Sequence, residues 1–465
     1  MITDAKAWAE QLFGASELGD VRRTRRLVAM GEQVARHTGQ SLCRACRGDE
    51  AAKEGAYRFV RSPHVEVEAV RESGYAATVR AARPSRCVLA TEDTTTLSYR
   101  HGASRELGDL GGKTSSQARG VWVHSVLLVD ADTECTLGLV EQEDWTRETS
   151  KRGQTANRRQ RAHEDKESYK WQRASERVAM RLGETMTRTI AVCDREADVL
   201  AYLHYKNQRG ERFLVRAAQD RRLEEAERTL LARIRQAPVC GTSRIRVPQR
   251  GGRPAREAVL NLRYTTATLR PPATADASVA PVPVTLVQAE EKDATADGLS
   301  WLLLSSEPVR SPEEARELLR YYSLRWRIEE FHKAWKTGAG VEQLRMQGVD
   351  NLRRMAAVLA FAAVRLLQLR ETLMVAHAAR RPCTEVLDTA EWRVLWGSTQ
   401  RHTKPPKVPP NLAWAYQALA RLGGFLDTKR TGRASWQTLW EGWFRLQDRV
   451  EGYRLSREAV SGSEI

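Results

Sequence analysis

Apolar and polar positions follow three rhythms along the chain. In residues 1 to about 70, Leu27, Val28, Met30 and Val34 recur at helical spacing among arginines, which predicts short helices and no strand. From about 86 the rhythm shortens. Residues 87–90, 121–129, 136–140, 189–193 and 213–215 are compact apolar runs that predict five strands. A helix-forming stretch at about 166–183 separates the third run from the fourth. The order β-β-β-α-β-α-β predicts an α/β fold, a mixed sheet with helical crossovers.

Residues 220–300 change the pattern again. The runs 244–247, 258–262, 267–269 and 282–287, with turns at Gly251-Gly252-Arg253-Pro254 and Pro271-Pro272, predict an all-β antiparallel insertion. Residues 301–304 form one more buried run. Pro312-Glu313-Glu314 then opens a long helix, with proline in the first turn and acids facing the helix dipole. A second long helix is expected over 351–376. Residues 378–411 look irregular, with Lys404-Pro405-Pro406-Lys407-Val408-Pro409-Pro410 as a stiff basic linker, and the remainder is helical. No internal repeat is present. The division this suggests is a helical domain over 1–70, an α/β domain over 71–376 containing the insertion, and a helical domain over 377–465.

Charge narrows the partner. The chain of 465 residues carries 75 Lys and Arg against 59 Asp and Glu, a net charge of +16, which points to a polyanion. An anionic membrane is the weaker candidate. The longest apolar run, 355–364, stops at Arg365, short of the ~20 residues needed to span, and Asp4 and Glu10 argue against a signal peptide. Seven scattered cysteines suit a reducing cytoplasm. The expectation is a cytoplasmic protein that meets nucleic acid.

Candidate chemistry lies in three places. Asp93 and Asp194 each follow a predicted strand, where a sheet collects ligands, although turn or cap aspartates make the same pattern. The third is the helix Tyr322-Ser323-Leu324-Arg325-Trp326-Arg327-Ile328-Glu329 and onward to Lys336. At ~100° per residue Arg325, Glu329 and Lys336 lie at about 300°, 340° and 320° from Tyr322, one narrow face. A solvated amphipathic helix also shows mixed charges. Three carboxylates from two strand ends and a helix can hold two hard divalent cations, Mg²⁺ or Mn²⁺, and such pairs drive phosphodiester chemistry.

With these residues in view, the sequence resembles the bacterial DDE cut-and-paste transposases. The matching strings are Thr91-Glu92-Asp93-Thr94-Thr95, Val123-His124-Ser125-Val126-Leu127-Leu128, Ala191-Val192-Cys193-Asp194-Arg195-Glu196-Ala197-Asp198, and Arg325 to Gly340 with Tyr322 before it. The likeness runs from the first residues to about 453. It implies a ribonuclease-H-like catalytic core with Asp93, Asp194 and Glu329 as catalytic metal ligands for two Mg²⁺ or Mn²⁺ ions per site. It also implies Tyr322, Arg325, Lys336, Arg216 and Lys333 as supports for the reacting phosphates, and Trp301 and Trp326 as aromatics that stack on a flipped base. The implied activity is nicking at transposon ends, hairpin formation and resolution, and strand transfer into target DNA by a homodimer in a paired-end complex. A metal-dependent nuclease of the same fold, without strand transfer, is the alternative.

Alone, the cluster Arg22, Arg23, Arg25, Arg26 is as well a solvated face as a DNA contact. The net charge and the resemblance imply that it contacts end DNA, with Arg58 beside it. Arg100, Arg253 and Arg345 are expected to bind DNA, while the basic loop 147–162 is a flexible phosphate contact or a solvated loop. Trp436, Trp440 and Trp443, followed by Leu446 and Val450, form an apolar stripe. Such a stripe is more often core than contact. The resemblance implies dimerisation through it. Two other motifs fail. A phosphate-binding loop ending in Lys113-Thr114 needs glycine where Leu107 stands, and Cys43-Arg44-Ala45-Cys46 lacks partners at zinc-ligand spacing.

Overall fold

The computed structural model describes residues 4–46, 48–100, 106–110, 119–147, 162–226, 229–247, 256–273, 278–292, 298–400, 402–426 and 434–461. Its strands are β1 (Val88–Tyr99), β2 (Gly108–Asp109), β3 (Arg119–Asp130), β4 (Thr136–Trp145), β5 (Thr189–Cys193), β6 (Arg212–Arg216), β7 (Gly241–Val247), β8 (Arg256–Leu269), β9 (Val282–Glu291) and β10 (Ser300–Ser305). Its helices before the sheet are α1 (Ala5–Phe13), α2 (Val21–Arg36), α3 (Leu42–Ala45), α4 (Glu50–Arg61) and α5 (Val67–Ala82). Among the strands lie α6 (Lys170–Leu182), α7 (Leu200–Gln208) and α8 (Leu230–Gln236). After them come α9 (Pro312–Ser323), α10 (Trp326–Lys333), α11 (Val349–Leu373), α12 (Thr389–Thr399), α13 (Leu412–Leu422) and α14 (Trp436–Ser461). The chain forms two compact units, one of residues 79–95 and 123–329, the other of 1–78, 96–122 and 330–465.

The sheet has the order β2-β3-β1-β5-β6-β10-β9-β8-β7, with β4 on β3. β5 pairs in parallel with β1 on one side and β6 on the other. All five β5 residues are buried, as central parallel strands covered on both faces must be. One apolar cluster joins Ala174, Val178 and Leu182 of α6 to Val88, Ala90, Val126, Leu128 and Val140. A second joins Tyr202 and Leu203 of α7, and Leu230 and Ile234 of α8, to Cys193, Phe213, Leu269 and Leu286. Leu319 of α9 closes a third over Ala258, Leu260 and Leu262.

Several expectations change here. β1 does not stop before Asp93; the β-branched run Thr94-Thr95-Thr96 carries it on to Tyr99. The runs 258–262 and 267–269 are one strand, because Tyr264, Thr265 and Thr266 between them are also strand formers. The insertion is not all-β, since α8 lies within it. It is also not a separate sheet: β10 pairs antiparallel with β6, Leu304 opposite Val215, so the insertion extends the main sheet. Within 378–411, expected to be irregular, α12 is started by a capping box of Asp388 and Glu391.

The other unit is built on α11, whose apolar residues are buried nearly all round. Phe361 meets Phe13 and Tyr75 edge-on at centroid distances of 5.8 and 6.0 Å. A Cβ at Gly74 would lie 2.2 Å from the Phe361 ring, so only glycine lets α5 approach there. Buried Arg354 donates to the carbonyls of Val65 and Val60 at 2.6 and 3.0 Å, closing the end of α4. The helices of 1–78 therefore share their core with 330–465, in contrast to the linear division into 1–70, 71–376 and 377–465.

The tryptophan stripe belongs to that same core. Trp436, Trp440 and Trp443 are 8%, 2% and 6% exposed within a single chain. The Arg370 guanidinium lies 3.6 Å over the Trp436 ring. Trp440 packs where a Cβ at Gly338 would be 3.1 Å away. Trp436, Trp440 and Trp443, expected to serve dimerisation, are thus packed as core within a single chain. Trp440→Ala is expected to cost about 3–5 kcal/mol. Thermal denaturation should show a lowered midpoint, while sedimentation of the folded fraction stays as in the unsubstituted protein.

Candidate active site

The parallel register of β1 and β5 places two acids side by side. Pairing runs from Val88 opposite Thr189 to Glu92 opposite Cys193. The next residue on each strand is Asp93 and Asp194, so the two carboxylates leave the sheet at one level, on strands ~4.8 Å apart. Asp194 ends its strand: its side chain accepts the Glu196 N–H at 2.8 Å and caps a short 3₁₀ turn, Arg195–Ala197. Asp93 sits inside β1 and accepts the Thr94 N–H at 2.8 Å.

The third acid arrives on a broken helix. α9 ends at Ser323, Leu324 and Arg325 turn, and α10 begins at Trp326. A π-helical segment, Ala334–Gly338, follows. One continuous helical face from Tyr322 to Lys336 is therefore not what forms. Instead, Arg325 at the break becomes the hub. Its guanidinium is almost fully buried and donates to Glu329 at 2.6 Å. It lies 5.2 Å over the Trp326 ring and 5.9 Å over the Tyr322 ring. Trp301 meets Tyr322 edge-on at 5.4 Å and packs on the cluster under α9, so it is half core. Trp326 is 47% exposed. Arg216, the last residue of β6, donates to the Ser300 carbonyl at 3.0 Å.

Electrostatics follow from this crowding. Burial and the neighbouring Asp194 push the Asp93 carboxyl up to about 7; Glu329 adds to the rise, while the Thr94 N–H and Arg325 oppose it. Burial raises the Tyr322 hydroxyl, against the pull of Arg325 and Arg216. Burial lowers Arg216, and Arg195 contributes. Asp93, Asp194, Glu329, Tyr322, Arg325, Arg216, Trp301 and Trp326 all belong to one unit. Lys333, exposed at the end of α10, and Lys336, half-buried in the π segment, belong to the other.

The expected DNA contacts vary in availability. Arg22 is exposed and paired with Asp20 at 2.9 Å, and exposed Arg58 pairs with Glu54 at 3.2 Å. Arg23 donates to the Leu18 carbonyl at 2.8 Å, and Arg26 packs over Gly55 of α4. Arg25, Arg100 and Arg345 are exposed. Arg253 and residues 148–161 lie outside the described residues. All seven cysteines are free thiols, Cys43 exposed and Cys46 buried. Asp198 was not singled out from the sequence. It accepts from the Ala218 N–H at 2.7 Å and Arg221 Nε at 2.6 Å, and so anchors the loop beyond Arg216. Its only signal was its place at the end of the Asp194 string.

Among the described residues no three His, Cys, Asp or Glu side chains form a ready-made metal cage. Glu329 is held by Arg325 instead. The donor set nonetheless fits a hard divalent cation, since oxygen ligands suit it and the raised Asp93 carboxyl reports negative charge that a cation would relieve.

Two family models match the chain. Transposase DNA-binding covers residues 5–65, and Transposase DDE domain covers residues 140–365. A solved structure described as "Cryo-EM structure of piggyBac transposase synaptic complex with hairpin DNA (SNHP)" is similar at a TM-score of 0.40 and 11% identity, over 80% of this chain and 76% of that one. No helix among the described residues is long and apolar enough to cross a membrane. Transposase DDE domains use divalent metal ions. With a transposase DNA-binding model matched over residues 5–65 and a transposase DDE model over 140–365, this protein is a DDE transposase enzyme.

Proposed function

We propose that this protein carries out cut-and-paste transposition and is related to the transposase of transposon five. The observation that carries the reading is the level placement of Asp93 and Asp194 at the end of the β1–β5 pairing, with Glu329 close enough to act on the same charge. Asp93, Asp194 and Glu329 would hold two Mg²⁺ or Mn²⁺ ions. When bound, the ions supply activation of an attacking oxygen and stabilisation of a leaving one. Arg325 and Arg216 bring guanidinium groups to the scissile phosphate, suited to its paired oxygens. Tyr322 adds a hydroxyl to phosphate binding, and Lys333 and Lys336 of the other unit bring two ammonium groups to the phosphates of bound DNA.

The half-exposed Trp326 ring offers a base extruded from a tight hairpin a stacking surface worth about 1–3 kcal/mol, with Trp301 beside it. Arg22, Arg23, Arg26 and Arg58 contact transposon-end DNA. For Arg22 and Arg58 the partners are surface acids, whose pairing is weak enough to yield to phosphate. Arg100 and Arg345 extend the contact. Pairing two ends for strand transfer into target DNA calls for two copies of the chain, through a surface other than the tryptophan stripe.

Asp93→Ala, Asp194→Ala and Glu329→Ala are each expected to abolish nicking of end DNA in Mg²⁺ while a gel-shift still shows end binding, which rests on the positive surface. A variant that nicks at the wild-type rate removes its residue from the site. Supplying a pre-cut end to the unsubstituted protein tests strand transfer separately; cleavage without joining would identify a nuclease.

Asp93 also predicts a pH dependence. Its folded value is raised above the ordinary 3.8, so its contribution to stability is full below that value and is lost as pH rises through about 7. In metal-free buffer Asp93→Asn should therefore be more stable than the unsubstituted protein at pH 8, by at least about 1 kcal/mol, and the gain should be clearly smaller at pH 5, vanishing only below the ordinary value of 3.8. Calorimetric melting at the two pH values, with and without Mn²⁺, measures it. An equal effect at both values would show that Asp93 does not carry the crowded charge.

A further inference from the structure

Glu92 and Thr94 flank Asp93 on β1, and by strand alternation they face the opposite side of the sheet. On that side His124 of β3 stands between them. The His124 side chain is fully buried and that of Glu92 is 2% exposed. His124 Nδ1 lies 3.1 Å from Thr94 Oγ1, and Nε2 lies 3.4 Å from Glu92 Oε2. The Trp171 ring meets the imidazole edge-on at 4.7 Å and blocks its rotation. A carboxylate only accepts hydrogen bonds, so with Glu92 as carboxylate and a neutral imidazole the matching tautomer has Nε2 donating to Glu92. Nδ1 then presents a lone pair, and the Thr94 hydroxyl donates to it. The hydroxyl direction fixes the residue whose own backbone N–H holds Asp93 Oδ1 at 2.8 Å.

Burying a carboxylate and an imidazole under a sheet costs desolvation, and an apolar pair of similar size fills such space at no loss of stability. The fold does not require this pair, whereas Asp93 gains from it. We propose that Glu92, His124 and Thr94 form a positioning relay that sets the angle of the Asp93 carboxylate toward a divalent cation. None of the three touches the cation or the DNA; each acts through the next. This inference rests on the assignment of Asp93 as a cation ligand. Partners one step behind a metal ligand typically change metal affinity by 10–100-fold.

The test is Mn²⁺ binding to the full chain without DNA, followed by electron paramagnetic resonance, with the thermal midpoint recorded for each variant. Thr94→Val deletes the hydroxyl and keeps the shape, and should weaken Mn²⁺ about tenfold. Thr94→Ser keeps the hydroxyl and should bind as the unsubstituted protein does. His124→Asn keeps an acceptor toward Thr94 and should retain more affinity than His124→Gln, whose amide reaches Glu92 instead. Asp93→Asn is the control. If it leaves Mn²⁺ binding unchanged, the cation-ligand assignment itself falls. If it removes binding while Thr94→Val and His124→Gln bind as the unsubstituted protein does, the assignment stands and the relay is overturned. Equal weakening by Thr94→Ser and Thr94→Val also overturns it, because the hydroxyl would then not be the link.

Discussion

The parallel pairing of β1 with β5 is the constraint on which the site depends. Five paired residues, ending at Glu92 opposite Cys193, set the level at which Asp93 and Asp194 emerge. A slip of one residue would turn every side chain of one strand to the other face. It would exchange Asp93 for Glu92 or Thr94 and drive an acid into the helix-covered side. Register is secured by the apolar cargo of both strands. Val88 and Ala90 pack under α6, and Ala191 and Cys193 lie in the cluster under α7. Ordinary core burial thus supplies the precision that the acids need.

Around that fixed pair the charges are arranged by a break in a helix. Had α9 run unbroken into α10, Arg325 would be one more residue on a helical surface. The turn at Leu324 and Arg325 lets the guanidinium sink among Tyr322, Trp326 and Glu329. A buried arginine with a carboxylate partner is stiff, and its planar group is preorganised for oxygen pairs. The same contact keeps Glu329 away from a closed three-acid cage, so the acids form an open, oxygen-rich edge.

Much of this was legible in the sequence, for reasons that differ by element. The runs at 189–193 and 213–215 announced buried strands because both faces are covered and no polar residue interrupts them. Asp93 and Asp194 stand out because each comes after a buried run, 87–90 and 189–193. The length of β1 and the fusion of 258–269 were missed because threonine and tyrosine look polar in an apolar count yet favour strands. The helix break had no signature: Leu324 and Arg325 are good helix formers, and tertiary packing overrides them. Spacing in Trp436, Trp440 and Trp443 reports burial, but periodicity does not say against what, and the helix packs on α12, α13, the π segment and Arg370 of the same chain. The Glu92–His124–Thr94 contact escapes local patterning because 30 positions separate Thr94 from His124.

The shared core of the first and last parts of the chain has a consequence for timing. During synthesis α1, α2 and α4 leave the ribosome more than 280 residues before α11 does. Until then Phe13 lacks its Phe361 neighbour, and the carbonyls of Val60 and Val65 lack the Arg354 donors. The nascent helices carry an uncovered apolar face throughout translation of the sheet. Completion of this unit is therefore a post-sheet event, and a chain truncated before α11 presents chaperones and proteases with an unfinished surface.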